Sequence, residues 1–481
     1  MLLLTTALAA SVSALVDVTP DGLVLRDAVL LNEDVPSTPG ALQVLDADGA
    51  VLATADVEPQ LHRSIVFEEG GGAAVELQSG TVRVRVHWPE GASSLTLGQR
   101  SLSPRTVPPA SAVQESGPSA DRLDVVVLGD GYTADQQDLF VQDADEIVDY
   151  LLSIEPYGAY AGLFNIWRID AVSNDSGASH YDQGQNQERD TAYGCYYGCG
   201  GIDRLLCCND SKVMGAVNSQ VPQADGVLVL VNDPTYGGAG GFNYATSYTG
   251  DVGALVAAHE VGHSLVGLWD EYSYGYSTNV GEGLNCTANP NDPPWAHWLD
   301  EGDVGAFEVC SYTNYYRPTD TSCMMRTLQD DYCPICREQA VLSIYDAVPS
   351  LISADEGPVT LPAVIEVIVL GPDDGDMDAS WAIDGVDVAE GLGATVPCVQ
   401  GGQSLTLTVA DSTPWVRNDP EGLLTDVMTW SLEACSEPDS GGEDTDEPPS
   451  IVPPCGCSAP GAVPVAALLP LLLVAVRRKR V

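Results

Sequence analysis

Residues 254–272, ALVAAHEVGHSLVGLWDEY, constrain this chain more than any other stretch. Residues 254–266 are rich in Ala, Leu and Val and predict a helix. Residues four apart share a helix face, so His259 and His263 aim two imidazoles at one point. That spacing suits a tetrahedral zinc ion, with Glu260 beside it to take a proton from water. Gly267 is the expected helix end. Asp270 and Glu271 follow, so a chain turning at Gly267 can return a carboxylate as third ligand. The fourth position then stays open for water or substrate. The chain has six histidines, and two of them fall in this motif.

The residues around the helix predict a sheet. Residues 123–128, 164–172 and 226–232 are mostly apolar runs of the kind buried in a central sheet. A helix is expected from near Ala134 to Pro156. The glycine-rich residues 236–241 lack the Lys-Ser/Thr of a phosphate loop and are read as a strand edge along a cleft. Residues 273–320 are polar and predict loops. Met324 and Met325 lie about 60 residues after the metal helix, where metzincin-like proteases present a methionine turn beneath the metal. Cys-Pro-Ile-Cys, 333 to 336, opens a helix expected over 337–345. With no second cysteine pair and no thioredoxin-like unit before it, this motif reads as structural.

Length and composition set the frame. A chain of 481 residues has room for two to four domains. Residues 15–115 alternate with period two, most clearly over 81–88, and predict a β-sandwich with no visible chemistry. His62 and His87 there read as ordinary strand or surface histidines. Residues 104–121 predict a linker, 122–350 the catalytic domain, and 352–435 an immunoglobulin-like sandwich with Cys398 paired to Cys435. The net charge of −50 excludes nucleic acid as a partner. Thirteen cysteines indicate disulfides and an oxidising compartment, with two local disulfides expected within residues 195–208.

Both ends carry targeting signals. Residues 1–14 predict a secretory signal peptide cleaved after Ala14. Residues 436–454 form an acidic Pro-rich linker. In 455–481, Cys-Gly-Cys precedes an apolar stretch and a basic end, which predicts a membrane segment. This tail resembles the C-terminal sorting signals of myxobacteria and their relatives, which implies processing near the cysteines and display on the cell surface. A simple permanent membrane anchor is the other reading.

Several of these stretches together resemble the bacterial IgA-peptidase family of zinc metallopeptidases. They are HEVGHSLVGLWDEY, the Val-Val-Leu-Gly-Asp-Gly-Tyr-Thr of 126–133, Phe164-Asn165, Asn174-Asp175-Ser176-Gly177, Cys323-Met324-Met325-Arg326 and Cys333-Pro334-Ile335-Cys336. The resemblance covers about residues 15–345. It implies an α+β or α/β metzincin-like catalytic domain between N-terminal and C-terminal β-sandwiches, hydrolysing protein or peptide substrates with zinc. It makes His259 and His263 ligands, Glu260 the catalytic base and Met325 the methionine-turn residue. The usual metzincin spacing puts Gly three and a ligand six residues after the second histidine, where this chain has Val266 and Trp269. Tryptophan cannot bind zinc, so the third ligand is expected to be Asp270, which keeps closest to the spacing, or else Glu271. Tyr316, or its neighbour Tyr315, is the expected transition-state donor. A different class also fits the sandwiches: a non-catalytic surface adhesin with a relic protease domain. Oligomeric state and substrate sequence are not legible.

Overall fold

A computed structural model describes residues 11–433 apart from 32–34, 36, 58–60, 67–71, 107–111, 242, 355–356, 373–376 and 399–401. The expected acidic linker and sorting tail lie outside the described residues. Among those described, no helix is long and apolar enough to cross a membrane. The described residues belong to one compact unit, mixed in class and rich in strands.

The N-terminal region holds β1 (Ser11–Thr19), β2 (Gly22–Leu31), β3 (Leu42–Asp46), β4 (Val51–Ala55), β5 (His62–Val66), β6 (Gly72–Glu76), β7 (Gly80–His87), β8 (Ala92–Leu97) and β9 (Arg100–Leu102). One sheet has the order β2-β1-β7, a second β4-β3-β8-β9, and β5 pairs β6 as a hairpin. The alternating apolar residues of both larger sheets meet in one core, including Val12, Val16, Val44, Val82 and Leu95. β1 is the middle strand of its sheet, and Ser11 to Leu15 are buried. Residues 11–14, the end of the expected leader, lie in this strand, with Val12 and Ala14 in the sandwich core, and Ser13 Oγ donates to Asn218 Oδ1 at 2.7 Å. Residues 1–10 lie outside the described residues.

The next region is built on a six-stranded sheet. Its elements begin with β10 (Ala112–Gln114), β11 (Leu123–Asp130), α1 (Gln137–Leu151), β12 (Phe164–Ile169), β13 (Ser179–His180), β14 (Tyr196–Tyr197), β15 (Leu206–Cys207) and α2 (Asp210–Gln220). They continue with β16 (Gly226–Val231), β17 (Gly238–Ala239), β18 (Ala245–Tyr248), α3 (Gly253–Val261), β19 (Val304–Cys310), β20 (Tyr312–Thr319) and α4 (Pro334–Asp346). The sheet order is β10-β12-β11-β16-β18-β17. The four central strands are parallel, and both edges run antiparallel. The expected linker over 104–121 thus contains an edge strand, because Ala112 to Gln114 pair with β12. The loop expected over 273–320 contains the β19–β20 hairpin.

Period two along these strands divides the core. Val125, Val127, Leu228 and Leu230 face one way, onto α1, α3 and α4. Val126, Leu128, Val227, Val229 and Val231 face the other way, onto α2 and Leu15 of β1. A sheet covered on both faces explains the continuous apolar runs. The two expected local disulfides form as Cys195–Cys208 and Cys199–Cys207, and Cys286 pairs Cys310.

In the C-terminal region, Thr425–Glu433, Ser404–Asp411, Met377–Ile383 and Val386–Glu390 run side by side, and Ala363–Glu366 pairs Gly393–Val396. These strands share a core around the stacked Trp381 and Trp430. Cys398 is disulfide-bonded, and Cys435 lies outside the described residues. Buried Asp411 joins this region to the central one: its Oδ2 accepts from Tyr160 and Tyr345 hydroxyls at 2.6 and 2.7 Å. Removing it leaves two buried hydroxyls without their acceptor. Asp411→Ala is expected to destabilise the chain by about 2–3 kcal/mol, and an unchanged denaturation midpoint would contradict this.

Candidate metal centre

The metal-helix motif folds as its residues predict, with one refinement. Helix α3 ends in a π turn over Gly262–Val266, and Gly267 closes it in the left-handed region at φ 80°. Leu268 N then donates to Gly262 O. That reversal brings Asp270 back across the helix face.

His259 Nε2, His263 Nε2 and Asp270 Oδ1 converge. The two nitrogens are 3.2 Å apart, and the oxygen lies 3.0 and 3.1 Å from them. The remaining ring nitrogens explain why. His259 Nδ1 bonds Met324 O at 2.9 Å, and His263 Nδ1 bonds Leu268 O at 2.6 Å. A carbonyl can only accept, so both Nδ1 atoms carry protons, and each ring in its neutral form turns a bare Nε2 lone pair inward. With both rings neutral, the three atoms are acceptors that repel at this distance unless positive charge, a metal ion or a proton on one Nε2, lies among them. A tetrahedral ion with ligands at about 2.0–2.1 Å has ligand–ligand edges of about 3.3 Å, so these residues fit such an ion.

The electrostatics agree. Burial opposes ionisation of Asp270, but the His263 charge outweighs it and holds the carboxyl well below the usual range. Burial likewise opposes the His263 charge, yet the Asp270 carboxylate raises its pKa to about 9. The His259 pKa falls, chiefly through burial. In the absence of an ion, the positive charge facing Asp270 resides on His263. Tyr274 donates to the other Asp270 oxygen at 2.6 Å, which fixes the carboxylate.

Glu260 is fully buried, and neither carboxylate oxygen has a hydrogen-bond partner, although Oε2 lies 3.9 Å from His263 Nε2. Burial pushes its pKa well above the ordinary value. Gly240 makes room for it: a Cβ there would lie 2.5 Å from both Glu260 Oε2 and His263 Cδ2. The residue has to be glycine for the strand edge to pass this close to the site. Gly262, between the histidines, plays the same part on the other side, where a Cβ would lie 2.9 Å from Met325 Sδ. Met325 is thus packed directly against the metal helix. Its neighbour's carbonyl holds His259, and its own carbonyl accepts from Glu271 N at 2.8 Å.

Not every expected residue arrives. Tyr316 exchanges backbone hydrogen bonds with Thr287 and is not brought to the triad. Tyr315 donates to Gly281 O instead. Tyr274, four residues after Asp270 and unremarkable in a segment so rich in tyrosine, touches the ligand set, and Tyr272 stacks on the His259 ring. Glu271, the alternative third ligand, turns away to the cysteines: its Oε1 lies 3.3 Å from Cys336 Sγ. Burial raises its pKa to about 8.

A cleft of about 660 Å³ opens beside His263, walled by Gly240, Trp269, Leu284 and Tyr312. His62, Ser64 and Glu76 complete it, so the N-terminal region supplies one wall that its sequence did not reveal. His62, read as an ordinary strand histidine, pairs with Glu76 at 2.7 Å. Ser64 bridges Gly240 through two backbone hydrogen bonds of 3.1 and 3.3 Å. Buried Arg63 anchors the hairpin on Asp210 at 3.3 Å and over the Tyr244 ring.

A metal-binding helix under a sheet edge, with a buried free carboxylate between two histidines, defines the site of a metallopeptidase. Residues 111–303 match the family model described as IgA Peptidase M64, a family of metallopeptidases, hydrolases of peptide bonds. No curated protein matches the chain.

Two substitutions test the geometry. Gly240→Ala is expected to displace Glu260 and cut kcat/KM by about 10²-fold; parental activity would show that the close approach is unimportant. Tyr274→Phe is expected to weaken metal retention by about 10–100-fold against a competing chelator, and an unchanged chelator midpoint would count against the hydroxyl's role.

Proposed function

We propose that the protein is a secreted, cell-surface zinc endopeptidase. His259, His263 and Asp270 would hold the ion, Glu260 would serve as the base, and Met325 would pack beneath. The observation that carries this is the convergence of His259 Nε2, His263 Nε2 and Asp270 Oδ1 beside a buried carboxylate that no hydrogen bond satisfies. Nitrogen, nitrogen and oxygen donors suit zinc, and three protein ligands leave a position for substrate. Disulfides at Cys195–Cys208, Cys199–Cys207 and Cys286–Cys310 support an oxidising exterior. The cell-surface part rests on the sequence of the tail alone.

Zinc in this site supplies Lewis acidity, polarising a scissile carbonyl and lowering the pKa of a water towards about 7. Glu260 then takes a proton onto its carboxylate as water attacks, and returns it to the leaving amine. Its apolar burial favours the protonated form it must pass through. Tyr274 holds Asp270 so that the triad keeps its shape while Glu260 cycles. The apolar wall of Trp269, Leu284 and Tyr312 receives substrate side chains and excludes water from one side.

Glu260→Gln keeps the shape of the side chain and removes its basicity. Cleavage of an unfolded protein substrate is expected to fall by about 10²–10⁴-fold, with metal content unchanged. Undiminished cleavage in that variant would end this mechanism.

A further inference from the structure

One residue past Asp270, a second set of donors gathers. Glu271, Cys323, Cys333 and Cys336 are all buried, and a ligand atom from each lies within 4.8 Å of the others. Cys323 Sγ and Cys336 Sγ are 3.6 Å apart. Glu271 Oε1 lies 3.3 Å from Cys336 Sγ and 4.0 Å from Cys333 Sγ. For zinc, metal–sulfur bonds of about 2.3 Å imply sulfur–sulfur edges of about 3.8 Å and slightly shorter sulfur–oxygen edges. The cluster has that size.

The surroundings point the same way. Cys195, Cys199, Cys207, Cys208, Cys286 and Cys310 are all paired, whereas these three are free. Three thiols cannot all pair with each other. Cys333 caps helix α4 and accepts from Cys336 N at 3.5 Å, with Pro334 in the first turn. A helix N-terminus favours negative charge on a thiolate. Glu271 Oε1 accepts from Asn285 Nδ2 at 3.1 Å, whereas Oε2 is buried without a hydrogen-bond partner. A cation would answer that oxygen.

We infer that Glu271, Cys323, Cys333 and Cys336 hold a second zinc ion in a closed, structural site. On binding, the three thiols release their protons to solvent and the four donors fill the tetrahedron. The site would join three segments: the methionine turn through Cys323, the start of α4 through Cys333 and Cys336, and the return from the metal helix through Glu271. Two of these hold the catalytic triad, since Met324 O fixes His259 and Asp270 precedes Glu271. The second ion would therefore act as a positioning element, not as part of the chemistry.

Metal analysis of the purified full-length chain is expected to give two zinc ions per molecule. His259→Ala/His263→Ala should keep one, and its X-ray absorption spectrum should show three sulfur neighbours at about 2.3 Å. Cys333→Ser/Cys336→Ser should lose that ion, and its triad should retain metal about 10–100-fold more weakly. If the cysteine variant does not fold, the spectrum of the histidine variant decides alone. A histidine variant without metal, a spectrum with only nitrogen and oxygen neighbours, or a disulfide between any two of the three cysteines would overturn the inference. A single zinc per chain with nitrogen and oxygen ligands would do so while leaving the proposed peptidase site intact.

Discussion

Two backbone carbonyls determine the centre of this molecule. Met324 O and Leu268 O each accept a hydrogen bond from an Nδ1–H and so turn both Nε2 atoms toward Asp270 Oδ1. Everything nearby serves that arrangement or is limited by it. The chain must reverse within a few residues of His263, which the π turn and Gly267 accomplish. The methionine turn must lie close enough for its carbonyl to reach His259, which Gly262 permits. Glu260 must stand beside the triad without a partner of its own, which only a side-chain-free strand edge at Gly240 allows.

Much of this was legible because it is local. Helix spacing put His259 and His263 on one face, and a glycine after the last turn marked the reversal. The strands at residues 123–128 and 226–231 were legible for a related reason: burial on both faces leaves only apolar residues. Cysteine pairs within residues 195–208 were legible because the loops are short. The methionine turn could be found from its distance along the chain and its doubled Met.

The remainder depends on contacts between distant segments, which leave no local trace. Asp270 and Glu271 are chemically alike and adjacent, yet successive side chains point apart, one to the histidines and the other to the cysteines. Only the fold says which goes where. The Cys-Pro-Ile-Cys motif seemed to lack partners because Cys323 and Glu271 reach it from elsewhere. Residues 11–14 read as the end of a leader because an apolar run leads to the small-x-small site Val12-Ser13-Ala14. In the fold, the same apolar character is what the middle strand of a sandwich requires.

The bridge between Ser64 and Gly240 gives the cleft an unusual boundary. At that point the sheet does not end in an open edge, since both the N–H and the carbonyl of Gly240 are engaged by the N-terminal region. A polypeptide crossing the cleft there finds no backbone groups to pair with, and its grip must come from the side-chain wall opposite. The cleft is thus a seam between two folding regions, and its width depends on how firmly Arg63 holds the hairpin to Asp210. Sequence drift in the sandwich, far from any catalytic motif, would alter what the site accepts while leaving its chemistry untouched.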